Sequence, residues 1–182
     1  MVRLNRHIGS YPPHFSSEEQ RQKIYKKWLD LMSDAEAYAK LKPESEDGWH
    51  LLSELYRQGH NMDVKQAGEK TIAILGKCLA KYPRSVGCHQ SAAYFYLSVG
   101  PGYLPQAEHS LSTLRAIHSP KLDPEVESGY VFLHIYRGDA PAAKGQIDQY
   151  LKHFPKDGRA EIFKDIRKGL DNPIKGFDDA KK

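Results

Sequence analysis

Apolar side chains recur along this chain at steps of three and four residues, and no convincing run alternates apolar with polar in the way a half-buried strand requires. The clearest series is Ile24, Trp28, Leu31, Ala35, Tyr38 and Leu41, which puts large side chains on one face of a long amphipathic helix. Ser16 or Ser17 stands ahead of it as an N-cap with Glu19 or Gln20 at capping-box distance, and Lys42-Pro43 ends it. Before that helix, Tyr11-Pro12-Pro13 favours polyproline-like backbone, so residues 1–15 read as an extended arm. From Glu46 onward the pattern predicts short helices separated by turns, and the expected class is all-α.

A recurrence orders those short helices. "LAKYP" ends at Pro83, "AIHSP" at Pro120 and "LKHFP" at Pro155, at intervals of 37 and 35 residues, a period that predicts stacked helical pairs. Each block has a turn near its middle, at Gly59, Gly100 and Gly138, where glycine closes one helix and a neighbouring Asp or Asn caps the next. The blocks run over about 46–83, 84–120 and 121–155, with the second helix of the first block over about Asp63 to Lys81. Ala160, Phe163, Ile166 and Leu170 mark a capping helix over 157–171, stopped by Asn172-Pro173, with 172–182 as a mobile tail. Residues 16–171 therefore read as one helical-repeat domain, a size that buries a continuous core.

Trp49, Leu52 and Tyr56 in the first block are large, and Ser53 between them is small. The second block has Tyr96, Ala107 and Pro120, with the small pair Ala92 and Ala93 on its first helix. The third keeps Gly138, Asp139, Ala143 and Pro155 but carries Glu127 and His134 at its large positions. This pattern resembles the tetratricopeptide repeat, a helix-turn-helix unit of about 34 residues, over residues 46–155. Glu127 and His134 depart from that family's Trp and Tyr, Ser53 from its glycine, and Ala92 and Ala93 from its Leu-Gly pair; Ala107 follows a two-residue insertion, and Pro83 arrives about six residues late.

The resemblance implies a right-handed superhelix of antiparallel helix pairs whose concave surface, lined by the first helix of each pair, binds a peptide or a partner helix. In that register the groove carries His50, Glu54, Arg57 and Gln58 from the first block, Gln90, Tyr94 and Leu97 from the second, and Ser128, Phe132, Ile135 and Tyr136 from the third. Aromatic and arginine side chains are common interface anchors, which singles out Arg57, Tyr94, Phe132 and Tyr136. None of these groove positions is Lys or Asn, the residues with which one subclass of the family holds a peptide's C-terminal carboxylate. Tyr11 and Phe15 of the arm are expected in the groove or along the first long helix.

Composition narrows the chemistry. The chain of 182 residues has 27 basic and 23 acidic residues, a formal charge of +4, and its basic residues are scattered. Lys23, Lys26 and Lys27, or Lys164, Arg167 and Lys168, read as solvated helix backs. Arg3, Arg6 and His7 in the arm keep nucleic-acid binding as the alternative reading, one that salt would weaken steeply. An enzyme is the third: no GxSxG elbow, Walker loop or dinucleotide motif occurs.

Nine histidines are present without an HExxH or other compact ligand spacing, so no metal or other cofactor is expected. Cys78 and Cys88 flank Pro83 symmetrically, but packed helix axes stand about 8 to 10 Å apart and a disulfide needs Cα atoms within about 7 Å, so Cys78 reads as a buried thiol. No apolar run approaches the roughly 20 residues of a membrane span. The first residues lack a leader's apolar core, so cytoplasmic is the expected compartment and periplasmic the alternative. Arg137-Gly138-Asp139, an adhesion tripeptide in other settings, falls on the third block's turn, with Asp139 as N-cap and Pro141 in the following first turn. The function these readings imply is non-catalytic protein binding, as an adaptor, scaffold or assembly factor.

Overall fold

The computed structural model describes residues 2–171; the stop at Asn172-Pro173 and the tail over 172–182 lie outside the described residues. Among the described residues the chain forms α1 (Val2–Ile8), α2 (Glu18–Leu41), α3 (Glu46–Asn61), α4 (Ala67–Lys81), α5 (Val86–Val99), α6 (Leu104–His118), α7 (Pro124–Tyr136), α8 (Ala140–His153) and α9 (Ala160–Asp171), with a single 3₁₀ turn at Pro101–Tyr103 and no strand. No helix among them is long and apolar enough to cross a membrane.

The helix starts follow from side chains that answer otherwise unpaired amides. Ser17 accepts from the Gln20 N–H at 3.1 Å while the Ser16 N–H donates to the Gln20 side chain at 2.7 Å, a reciprocal box that starts α2. Ser45 and Ser85 do the same service for α3 and α5, and Asp123 for α7. Asp139 caps α8 by accepting from the Ala142 N–H at 3.0 Å, with Gly138 in the left-handed region at φ 71° just before it. Arg137 pairs with Glu108 on α6, so all three residues of the adhesion-like tripeptide serve the turn between α7 and α8.

Consecutive helices pack as pairs, α3 with α4, α5 with α6 and α7 with α8, while α3, α5 and α7 also touch in succession. The small positions sit at the contacts: Ala92, Ala93, Ala107 and Ala143 are fully buried. One apolar cluster joins Phe95, Leu111 and Leu133 between the second and third pairs, and another joins Val131, Ile147, Tyr150 and Phe163 beneath α9. At the other end Trp28 lies buried against α3, its indole N–H donating to the Leu55 carbonyl at 2.8 Å.

Four sequence expectations are corrected. Residues 2–8 are helical, because Leu4 and Ile8, four residues apart, share one face and bury at 4% and 0% exposure in the cluster of Trp28 and Leu55. Burying such a pair contributes about 1.5–3 kcal/mol per side chain. Leu41 leaves the apolar stripe of α2 and is 82% exposed, while Met32, outside the expected series, is buried. The first block's turn falls after Asn61 and not at Gly59, which lies buried inside α3 against Trp28, and α4 begins at Ala67, four residues later than expected, because Asp63 and Gln66 adopt left-handed backbone at φ 59° and 62°.

The fourth correction is the cysteine pair. Cys78 and Cys88 form a fully buried disulfide between α4 and α5, with Cα atoms 6.4 Å apart. Axis spacing overstates that distance, because Cα atoms stand about 2.3 Å off a helix axis and facing residues approach by twice that.

Candidate functional site

With α3, α5 and α7 side by side, the side chains of their common face meet in a trough of two adjoining clefts that share Gly9, Arg57 and Tyr94. The first cleft is polar and receives His50, Glu54, Arg57, Gln90 and Tyr94 among its walls. The second, of about 370 Å³, is aromatic and receives Arg57, Tyr94, Leu97, Phe132 and Tyr136. Eight of the eleven sequence-predicted groove residues thus line the trough, and three do not. Gln58 is fully buried beneath α1, Ser128 is fully buried behind Tyr94, and Ile135 packs on the cluster of Tyr150 and Phe163.

Polar groups in the first cleft are fixed by one another. Arg57 forks onto Glu54, Nη2 to Oε2 at 2.8 Å and Nε to Oε1 at 3.4 Å, and Ser91 Oγ donates to the same carboxylate at 2.7 Å. Burial alone would raise the Glu54 carboxyl, but the hydrogen bonds and charge of Arg57 outweigh it and hold the group below the usual carboxylate range. The cleft therefore keeps a paired, ionised carboxylate with both partners oriented.

Tyr94 links the two clefts to the far end of the trough. Its hydroxyl meets Ser128 Oγ at 2.8 Å and the Glu125 carbonyl at 2.7 Å, while Arg159 reaches Ser128 Oγ at 3.1 Å and Glu125 at 2.8 Å. Burial pushes the Tyr94 hydroxyl far above its ordinary range, so it stays a neutral donor. The hydrogen bond from Arg159 to Asp157 holds that carboxyl far below its ordinary value. This lattice ties α5 and α7 to the start of α9, and it makes the trough wall stiff at Tyr94.

Beyond Tyr94 the surface turns apolar. Phe132 stacks on Tyr136 with ring centroids 6.4 Å apart, and Tyr136 stays 53% exposed, an aromatic face presented to solvent. Opposite them stand Gly9, Ser10 and Tyr11, with Tyr11 65% exposed. Sequence reasoning missed Asn5, Gly9, Ser10, Asn61, Ser91, Ser98 and Glu125 as walls. A signal for the first two existed in the four-residue spacing of Leu4 and Ile8, which predicts a helix that must bury one face. Among the described residues no three His, Cys, Asp or Glu side chains come together in a way that would hold a metal ion.

No family model, curated protein or solved structure matches the chain.

Proposed function

We propose that this chain is a non-catalytic protein-interaction module of tetratricopeptide-like architecture, which binds an extended peptide or a partner helix in the trough. The observation that carries the reading is the junction of Arg57, Tyr94, Leu97, Phe132 and Tyr136, supplied by three different helices, in one concave surface with aromatic faces open to solvent. Aromatic and arginine groups in a preformed concavity are the usual anchors of a protein interface. The right-handed superhelix, the tetratricopeptide register over 46–155 and a role as adaptor, scaffold or assembly factor belong to this same reading.

Affinity capture from native cells tests it, followed by calorimetry of each captured protein with purified wild type and with Tyr94→Ala/Phe132→Ala/Tyr136→Ala. Circular dichroism of the variant checks that the helices remain. A partner that loses at least tenfold in affinity supports the reading, and retention of every partner by a folded triple variant overturns it. Binding to a labelled oligonucleotide that falls steeply with added salt would favour nucleic acid instead.

A further inference from the structure

The trough is not empty along its whole length, because α1 and the turn after it lie along it, Asn5 and Gly9 on the first cleft and Gly9, Ser10 and Tyr11 on the second. Three side chains of α3 donate to acceptors on this segment: Gln58 Nε2 to Asn5 Oδ1 at 2.7 Å, Asn61 Nδ2 to the Ile8 carbonyl at 3.0 Å, and Arg57 Nη1 to the Gly9 carbonyl at 2.5 Å. The last two acceptors are carbonyls at the C-terminal end of α1, which have no partner within their own helix and carry the negative end of its dipole. An arginine and an amide spaced one helical turn apart on α3 are therefore matched to a helix end. Below them Leu4 and Ile8 fill an apolar bed with Leu52 and Leu55.

Two further facts bear on what this seat is for. The Gln58 Oε1 atom is buried beside α1 and finds no hydrogen-bond partner, so the segment satisfies the seat incompletely. The turn that follows is closed on itself, with the His14 N–H donating to the His7 carbonyl at 2.7 Å, and it leads Tyr11 to the wall of the open aromatic cleft. A segment seated by side-chain donors, leading straight into an open cleft, has the form of a bound ligand.

We infer that residues 4–11 act as a resident pseudo-ligand, and that a partner of the same chemistry binds by displacing them. That partner is a short helical segment with two aliphatic residues four apart, free carbonyls at its C-terminal end held by Asn61 and Arg57, and a donor for Gln58. This rests on the trough being the binding surface and adds the seat beneath α1 at its side, its ligand class and its gate. The chain's own sequence supplies the probe.

The experiment uses the full chain carrying Leu4→Asp/Ile8→Asp, which ejects α1, and a fluorescein-labelled peptide of residues 2–15 added in trans. Wild type should bind the peptide at least tenfold more weakly than the variant, because its own segment competes at the millimolar effective concentration of a tethered ligand. Adding Asn61→Ala/Arg57→Ala to the variant should reduce peptide affinity at least tenfold. A folded Leu4→Asp/Ile8→Asp chain that binds no better than wild type overturns the proposal, as does binding that ignores Asn61 and Arg57. If the variant fails to fold, hydrogen exchange of the wild-type chain decides. Amides of α1 that exchange by local opening at least tenfold faster than those of α5 support displacement, and equal protection overturns it. No outside partner enters this assay, so its failure leaves the aromatic-half reading standing.

Discussion

Arg57 in α3 donates to the main-chain carbonyl of Gly9, 48 residues away in sequence, while its other two nitrogens clasp Glu54. One guanidinium thus fixes the N-terminal segment and neutralises the carboxylate of the polar cleft, a double task its planar fork suits better than a lysine's point charge. Removing it leaves two unequal debts. The Gly9 carbonyl can turn to water, but Glu54, with a side chain only 14% exposed, keeps its charge with Ser91 alone.

Arg57→Ala should therefore destabilise the fold by about 2–3 kcal/mol, since breaking a buried pair costs more than the pair contributes. Arg57→Ala/Glu54→Gln should cost less than Arg57→Ala by itself, because no unpaired charge is left behind. Urea unfolding of wild type, Arg57→Ala, Glu54→Gln and the double variant measures this, and strict additivity of the two substitutions would contradict the account.

Two glycines in helices make opposite predictions. A Cβ on Gly59 would stand 2.7 Å from Cζ2 of Trp28, whose ring is locked by its bond to Leu55, whereas a Cβ on Gly76 in α4 would meet nothing within 4 Å. Gly59→Ala should destabilise by about 1–3 kcal/mol through overpacking, and Gly76→Ala should stabilise by about 0.5–1 kcal/mol through helix propensity. Thermal melts of the two variants should move in opposite directions from wild type.

The pairing of helices was legible because the prolines, the small residues and the turn glycines Gly100 and Gly138 lie at regular intervals, and each has a local cause that acts through neighbours in sequence, whereas Gly59 sits inside α3 and not at a turn. Asp139 and Ser17 could be read as caps for the same reason. What escaped depended on contacts between distant positions. Glu127 looked wrong at a large apolar position, yet it is 4% exposed and accepts two bonds from Arg115, whose guanidinium lies 3.7 Å over the ring of Tyr130. A salt bridge stacked on an aromatic ring fills the volume that a single large side chain was expected to fill. The trough was legible through its helical register, but Gln58, Ser128 and Ile135 sit one face away from it, where a small rotation of each helix decides between wall and core.

The Cys78–Cys88 bridge joins α4 to α5 across a separation of 10 residues. Closing a loop of that size in the unfolded chain is worth about 2–3 kcal/mol in the chain-entropy account. Denatured, unreduced protein should show no titratable thiol and reduced protein two. Reduction should lower the urea midpoint by the corresponding amount, and burial of both sulfurs should make reduction slow in the native state. Two free thiols in protein purified without reductant would show that the bridge does not form.

His89 sets a pH dependence whose direction is fixed by its surroundings. Burial is the largest influence and lowers its affinity for a proton, the bond to the Pro83 carbonyl at 3.0 Å works the other way, and His109, its ring 6.0 Å distant, lowers it further. With Nε2 facing that carbonyl, Nδ1 is left buried without a partner. The folded pKa therefore lies below the unfolded value of about 6.5, and the unfolded chain takes up the proton first. The stability tied to His89 is complete above about pH 6.5 and is lost as pH falls from there to the lower folded value, below which this residue adds no further slope. Urea midpoints measured from pH 8 to 5 should decline over that interval. His89→Gln retains a donor for Pro83 without a titrating group and should flatten the decline, and an unchanged slope in that variant would assign the dependence to another group.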